Sequence, residues 1–332
     1  MSKDNLEVVG IGNAIVDVLS KTDDVFLQNN HIHKGTMTLI DAEQAQAIYA
    51  QTGPGMEMSG GSAANMVAAF ASLGGKAGYI GKVADDQMGE VFRHDIRSTG
   101  VVYDTLPLVR DGITTSRCLV MITPDAQRTM CTYLGASVFF MPADLDEKMI
   151  KCAQVTYLEG YLFDESHAKQ AFRMAAELAH AAGRKIALTL SDPFCVERHR
   201  DDFLDLVKNH VDILFANEAE ILSLYKTDAF SEAVTQVGSH CEVAVITRSE
   251  KGSVIIGKEE TIEIAAEPVT QVVDTTGAGD LYAAGFLYGY TRGRPLAECG
   301  RIASIAAAEI LSQVGARPQR SLAQLLKDKQ AA

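Results

Sequence analysis

Short apolar runs alternate with longer amphipathic stretches along most of this chain. The runs at 6–11, 77–81, 154–159, 186–190, 212–216 and 243–247 are apolar and mostly rich in β-branched residues. Continuous runs of this kind suit strands covered on both faces. Between them the pattern predicts helices at 62–73, 166–182, 197–209, 217–224 and 231–236, then at 277–291, 296–313 and 321–327. The helix at 62–73 follows a Gly-Gly pair and stops at Gly74-Gly75, and the one at 166–182 stops at Gly183. These are good start and stop signals. Repeated strand–helix alternation predicts an α/β layer architecture with a mostly parallel sheet.

Two stretches break the rhythm. One covers 18–42 and contains a β-like run at 36–40. The other covers 104–137, where 114–122 and 128–134 read as paired strands joined by the turn Thr123-Pro124-Asp125-Ala126. Together they predict a small accessory sheet beside the main body.

Composition narrows the function classes. The 332 residues are 47% hydrophobic and 22% charged, enough for a large core. A net charge of −13 repels phosphodiester backbones, so nucleic acid is an unexpected partner. Small phosphorylated ligands are not excluded, because local dipoles can hold them. The six cysteines are scattered without a CxxC pair, which reads as free thiols rather than zinc or disulfides. No uncharged apolar run reaches the length of a membrane span, and the N-terminal stretch lacks a long apolar core. The expectation is a cytoplasmic protein without membrane contact.

Three glycine motifs carry candidate chemistry. Gly10-Ile11-Gly12-Asn13-Ala14-Ile15 begins like a dinucleotide fingerprint, but Ile15 stands where the third glycine is needed. Asn13 and Asp17 after this run read either as ligand-facing polar groups or as a turn residue and a solvated acid. The segment around Gly81-Lys82 misses the P-loop pattern at Lys76 and Val83. The string Asp274-Thr275-Thr276-Gly277-Ala278-Gly279-Asp280 opens an apolar helix. Small residues before a helix leave amide N–H groups free, and the helix dipole adds positive potential, so the turn suits a developing phosphoryl charge. Asp280 at its mouth is placed either to accept a proton from a substrate hydroxyl or simply to favour the helix N-terminus.

These residues resemble the ribokinase-like, or PfkB, family of carbohydrate and nucleoside kinases. The family's D-T-x-G-A-G-D string is 274–280, and its Gly-Gly-x-x-x-Asn segment is Gly60-Gly61-Ser62-Ala63-Ala64-Asn65. The resemblance runs from Gly10 to about Pro318 and is greatest to adenosine-kinase-like bacterial members. It implies a three-layer α/β/α body with a small β lid. The implied large domain takes 1–16, 43–105 and 138–332, and the implied lid takes 17–42 and 106–137.

The resemblance also implies roles. Asp280 becomes the general base, with Gly277, Ala278 and Gly279 forming the anion hole and Arg128 from the accessory sheet over the transferred phosphate. Asp17, at the end of the first strand, and Asn65 would hold sugar hydroxyls, with Gly60, Gly61 and Asn13 beside them. Asn217, Thr247, Gly252, Thr276, Gly277 and Gly279 would contact ATP. Asn217 and Glu220, from an N-x-x-E motif, would arrange Mg²⁺ through water; from the residues alone a helix cap with acidic first-turn residues is the commoner reading. Asp274 is the implied contributor to a K⁺ site. Ser249 stands where the family's nucleotide motif has its first glycine. Asp192, ending a strand, is a candidate to face the nucleotide, and Tyr161, Leu162 and Phe163 read as base-stacking or core residues.

The expected activity is an ATP-dependent kinase acting on a primary hydroxyl of a ribose-like acceptor, adenosine first. Ribose, fructose, 2-keto-3-deoxygluconate, inosine and guanosine are the nearer alternatives, and a catalytically silent binder of nucleotide or sugar the distant one. The expected assembly is a monomer or homodimer.

Overall fold

The structure, a computed structural model, describes residues 3–125 and 127–331. A nine-stranded sheet forms its centre, in the order Thr261–Ile264, Ser253–Ile256, Val243–Thr247, Ile213–Asn217, Lys185–Thr189, Val155–Glu159, Val8–Ile11, Ala77–Ile80, Val102–Tyr103. The seven strands from Val243–Thr247 onward pair in parallel. The first two form an antiparallel hairpin on one edge, which the apolar runs alone do not announce.

The parallel strands are buried on both faces, as their continuous apolar character requires. Side chains alternate between two cores: Val243 and Val245 join one, Ala244 and Ile246 the other. The first core is closed by Ser62–Ser72, Gln87–Ser98, Ala278–Tyr290 and Leu296–Leu311; the second by Ser166–Ala181, Pro193–Asn209, Glu218–Tyr225 and Phe230–Gly238. The result is the expected three-layer α/β/α body. Several boundaries move for local reasons. Pro193–Asn209 starts four residues before the expected 197 because Asp192 accepts from the Cys195 amide and Pro193 fits the first turn.

A second sheet has the order Met37–Leu39, Arg128–Tyr133, Ser116–Ile122, Ile15–Lys21, Met56–Gly60. It contains the expected antiparallel pair, closed by the Thr123 amide on the Gln127 carbonyl at 3.0 Å; Ala126 of the expected turn lies outside the described residues. The sheet is wider than the two stretches that suggested it. Ile15–Lys21 enters it whole, pairing in parallel with Ser116–Ile122 and antiparallel with Met56–Gly60, so the expected cut after 16 passes through this strand and Met56–Gly60 joins the sheet from inside the stretch 43–105. Val16, Val18 and Ser20 are buried, while Ile15, Asp17 and Leu19 line the more open face.

No helix among the described residues is long and apolar enough to cross a membrane, and the cysteines are free thiols. Helix Ser62–Ser72 is fastened to helix Ala278–Tyr290 partly by Phe70, fully buried edge-on to Tyr288 at 6.0 Å. Phe70→Ala should cost about 3–5 kcal/mol of unfolding free energy, because the cavity cannot refill. Urea unfolding checks this; an unchanged midpoint would mean the two helices are held independently of Phe70.

Candidate active site

The C-terminal ends of the parallel strands gather the polar residues, as is general for open α/β sheets. Glu159, Asn217 and Thr247 each end a strand on this edge, and Asn217 and Thr247 are paired neighbours. The 274–280 turn faces the same edge. Gly277 takes φ 80°, and a Cβ there would also lie 2.8 Å from the Ala316 Cβ, so the turn needs glycine. It releases helix Ala278–Tyr290 with the amides of Gly277, Gly279 and Asp280 unclaimed by any acceptor among the described residues. The Ala278 amide, expected to be free, instead closes the turn on the Thr275 carbonyl at 3.2 Å. Three unspent N–H groups at a helix N-terminus fit a phosphate.

Asp280 sits on the first turn. Its carboxylate accepts from Ser62 Oγ at 2.6 Å and Asn65 Nδ2 at 3.0 Å, both on the first turn of helix Ser62–Ser72. Burial raises its pKa, while the two hydrogen bonds and the charge of Arg317 pull the other way. Asn65 is 5% exposed, and its Oδ1 is buried without a partner. An orphan acceptor beside the candidate base still has a hydrogen bond to make.

Asp17 is not at a strand end. It lies in the middle of Ile15–Lys21, opposite Met58 and Cys118, and leans over Gly60, where a Cβ would sit 2.3 Å from its Oδ2. No protein donor claims its carboxylate among the described residues. Burial lifts its pKa to about 7, with Asp280 adding to the rise and Arg317 and Arg128 opposing it. Gly61, at φ 94°, passes so close to Asn13 that a Cβ would meet its carbonyl oxygen at 2.2 Å. Asn13 is turned inward: its side chain donates to Glu159 Oε1 at 3.1 Å rather than to the open site.

Arg128 does reach from the second sheet to the glycine turn. It forms a 2.7 Å ion pair with Asp274 and donates to Thr276 Oγ1 at 3.2 Å. Asp274 also accepts from the Thr276 amide, the Thr276 hydroxyl and the Gly315 amide. Three donors and the neighbouring Arg128 charge hold this carboxylate in place. Its work here is to join the second sheet, the glycine turn and the segment after helix Leu296–Leu311.

Asn217 and Glu220 form a complete capping box with each other. Glu220 is buried, and desolvation with nearby Asp192 raises its pKa to about 7. Among the described residues no three His, Cys, Asp or Glu side chains converge as a ready metal centre. The pair therefore fits a water-mediated contact with a metal brought in by phosphates, not direct ligation. Ser249 adopts φ 51°, the left-handed conformation that glycine takes without steric cost. Gly252, at φ 85°, turns the chain into Ser253–Ile256. Asp192 spends one oxygen on its helix cap, and Leu162 and Phe163 are core residues, Phe163 stacking on Phe203 at 4.8 Å.

Three site residues went unnoticed in the sequence. Ser62 lies inside the quoted Gly-Gly segment, yet only the fold brings it to Asp280. Glu159 is an acid ending an apolar strand. It is 1% exposed and accepts from the Asn13 amide, the Asn13 side chain and the Ala63 amide, and burial raises its pKa to about 7. Arg317, after the last long helix, binds the carbonyls of Ser59 and Ala64.

Comparison with known proteins adds a lineage. The family profile described as pfkB family carbohydrate kinase matches residues 36–322. The solved adenosine kinase from Sinorhizobium meliloti is 50% identical, with TM-score 0.90, covering 99% of this chain and 100% of that one. The probable sugar kinase from Rhizobium etli is 47% identical, with TM-score 0.91 over the same shares. A 5-dehydro-2-deoxygluconokinase from Geobacillus thermodenitrificans is 27% identical over 265 residues, 76% of this chain and 78% of its own length.

Glu159 carries a pH signature. Its folded pKa lies above the ordinary 4.5, so the folded chain keeps a proton that the unfolded chain releases. The stability this group contributes is therefore full below 4.5 and lost as pH rises toward 7. Glu159→Gln should remove that slope. The stability advantage of the native chain over the variant should shrink across this window in urea titrations; a constant difference contradicts the assignment.

Proposed function

The chain belongs to the pfkB family of carbohydrate kinases, and from that premise we propose that it transfers the γ-phosphoryl group of ATP to the 5′-hydroxyl of adenosine, giving AMP. The chemistry follows from the side chains in hand. Asp280, oriented by hydrogen bonds from Ser62 and Asn65 that favour its charged form, accepts the proton of the attacking hydroxyl. The free amides of Gly277, Gly279 and Asp280 face the charge that develops on the phosphoryl oxygens. Arg128 lies beside the same turn and adds a cation once it exchanges Asp274 for phosphate. Asp17 and the orphan Oδ1 of Asn65 accept from ribose hydroxyls. Thr247, Gly252 and Asn217 line the nucleotide side, with Thr276 in the glycine turn. Asn217 and Glu220 would hold Mg²⁺ through water, and the ion would supply positive charge to the phosphates. Closure of the second sheet over the acceptor excludes water from the transfer.

One observation favours a nucleoside over a free sugar. Asp17 lies on a sheet face that, beside the polar Thr132 and Arg128, carries a run of apolar side chains. Met58 and Cys118 flank it, and the next row carries Leu19, Val120, Met130, Met37 and Met56. Met37 and Met56 are exposed at its rim. A purine has a flat apolar surface to lay there, and a free sugar does not. The adenosine kinase at 50% identity supports the same acceptor. The second reading, a sugar acid or ketose, draws its support from the similarity to a 5-dehydro-2-deoxygluconokinase.

A coupled ADP-release assay with MgATP across adenosine, inosine, guanosine, ribose, fructose and 2-keto-3-deoxygluconate tests the acceptor. Turnover should be fastest on adenosine; preference for a free sugar overturns the nucleoside assignment. Acceptor KM carries a second expectation. With the Asp17 pKa at about 7, the ionised form that accepts hydroxyls is lost as pH falls through that value. KM should therefore rise roughly tenfold for each pH unit below it, as for any single protonation that abolishes binding. Asp17→Asn should show a high KM at every pH, and a flat native profile contradicts the role.

A further inference from the structure

Arg317 reaches beneath the acceptor side of the site from the segment that follows helix Leu296–Leu311. Its guanidinium makes four hydrogen bonds to two residues. Nε and Nη2 donate to the Ser59 carbonyl at 3.1 and 2.9 Å, Nη2 to Ser59 Oγ at 2.9 Å, and Nη1 to the Ala64 carbonyl at 2.6 Å. Ser59 is the next-to-last residue of strand Met56–Gly60 in the second sheet, and Ala64 lies in the first turn of helix Ser62–Ser72. Between them stand Gly60, under Asp17, and Gly61, against Asn13. One planar fork thus spans the turn that carries the acceptor floor.

Ser59 is held from its other side as well. Its amide and hydroxyl donate to Asp95 Oδ2 at 2.8 and 2.6 Å, so its position is fixed between helix Gln87–Ser98 and Arg317. The same short segment also supports the donor side. The Gly315 amide donates to Asp274, and Ala316 packs where a Cβ on Gly277 would go. Burial lowers the Arg317 pKa, while Asp95, Asp17 and Asp280 favour its charge.

We propose that Arg317 is a positioning residue: by tying the carbonyls of Ser59 and Ala64 together across the Gly60-Gly61 turn, it sets where Asp17 and Asn65 meet the acceptor. The proposal rests on the reading of this turn as the acceptor floor. Lysine cannot replace the fork, since a single ammonium offers no planar pair of donors for two separated carbonyls.

Arg317→Gln and Arg317→Lys test it, with circular dichroism to confirm folding and initial rates varied separately in acceptor and in ATP. Both variants should raise acceptor KM by about tenfold or more, the loss of one or two charge-assisted hydrogen bonds. ATP KM should stay within about twofold, a split that general loosening of the fold would not produce. Native acceptor KM in either folded variant overturns the proposal, as does an equal rise in both KM values. If neither variant folds, Arg317 is a structural anchor only, and the proposal falls. Failure of the underlying reading has a different mark: Asp17→Asn would then leave native acceptor KM unchanged.

Discussion

Asp280 stands on the first turn of one helix and takes hydrogen bonds from the first turn of another. Two helix N-termini therefore converge on a single carboxylate, and their dipoles favour its charge while burial opposes it. A proton acceptor for an alcohol needs this balance: ionised at working pH, yet desolvated enough to take a proton in the transition state. The packing of helix Ser62–Ser72 on Ala278–Tyr290 is what sets it. Phe70 and Tyr288 meet at one end of that contact, and Ser62, Asn65 and Asp280 at the other.

The buried charges around this contact form a connected arrangement rather than separate pairs. Arg128 brings the second sheet to Asp274, and Asp274 binds the glycine turn and Gly315. Two residues on, Arg317 returns to the acceptor side through Ser59 and Ala64. Glu159 closes the circuit beneath, joining the loop at Asn13 to the helix that presents Asn65. The glycine turn, the Gly60-Gly61 turn and the second sheet thus share supports.

The main body was legible because its parallel strands are buried on both faces and read as apolar runs. The second sheet was harder. Ile15–Lys21 carries Asp17 at its middle, and Met56–Gly60 carries Glu57 and Ser59, ends in glycine and has little β propensity; pairing, not local sequence, makes both of them strands. In the site, the glycine turn and Asp280 announce themselves through helix N-terminal chemistry. Ser62, Glu159 and Arg317 do not, since each acts through a partner distant in sequence, 218, 146 and 258 residues away. Asn217 and Glu220 show the opposite: a local capping box, complete within four residues, that sequence reasoning also offered as a metal arrangement.

Asp280 is the point at which these observations meet, and Asp280→Asn tests its role most directly. The amide keeps one acceptor and the side-chain volume but cannot take the proton. The variant should fold and bind ATP and acceptor at near-native affinity by calorimetry. Its kcat should fall by about 10²–10⁴-fold, the usual contribution of a general base. Near-native kcat in the folded variant would remove Asp280 from the proton transfer, and the account of the site with it.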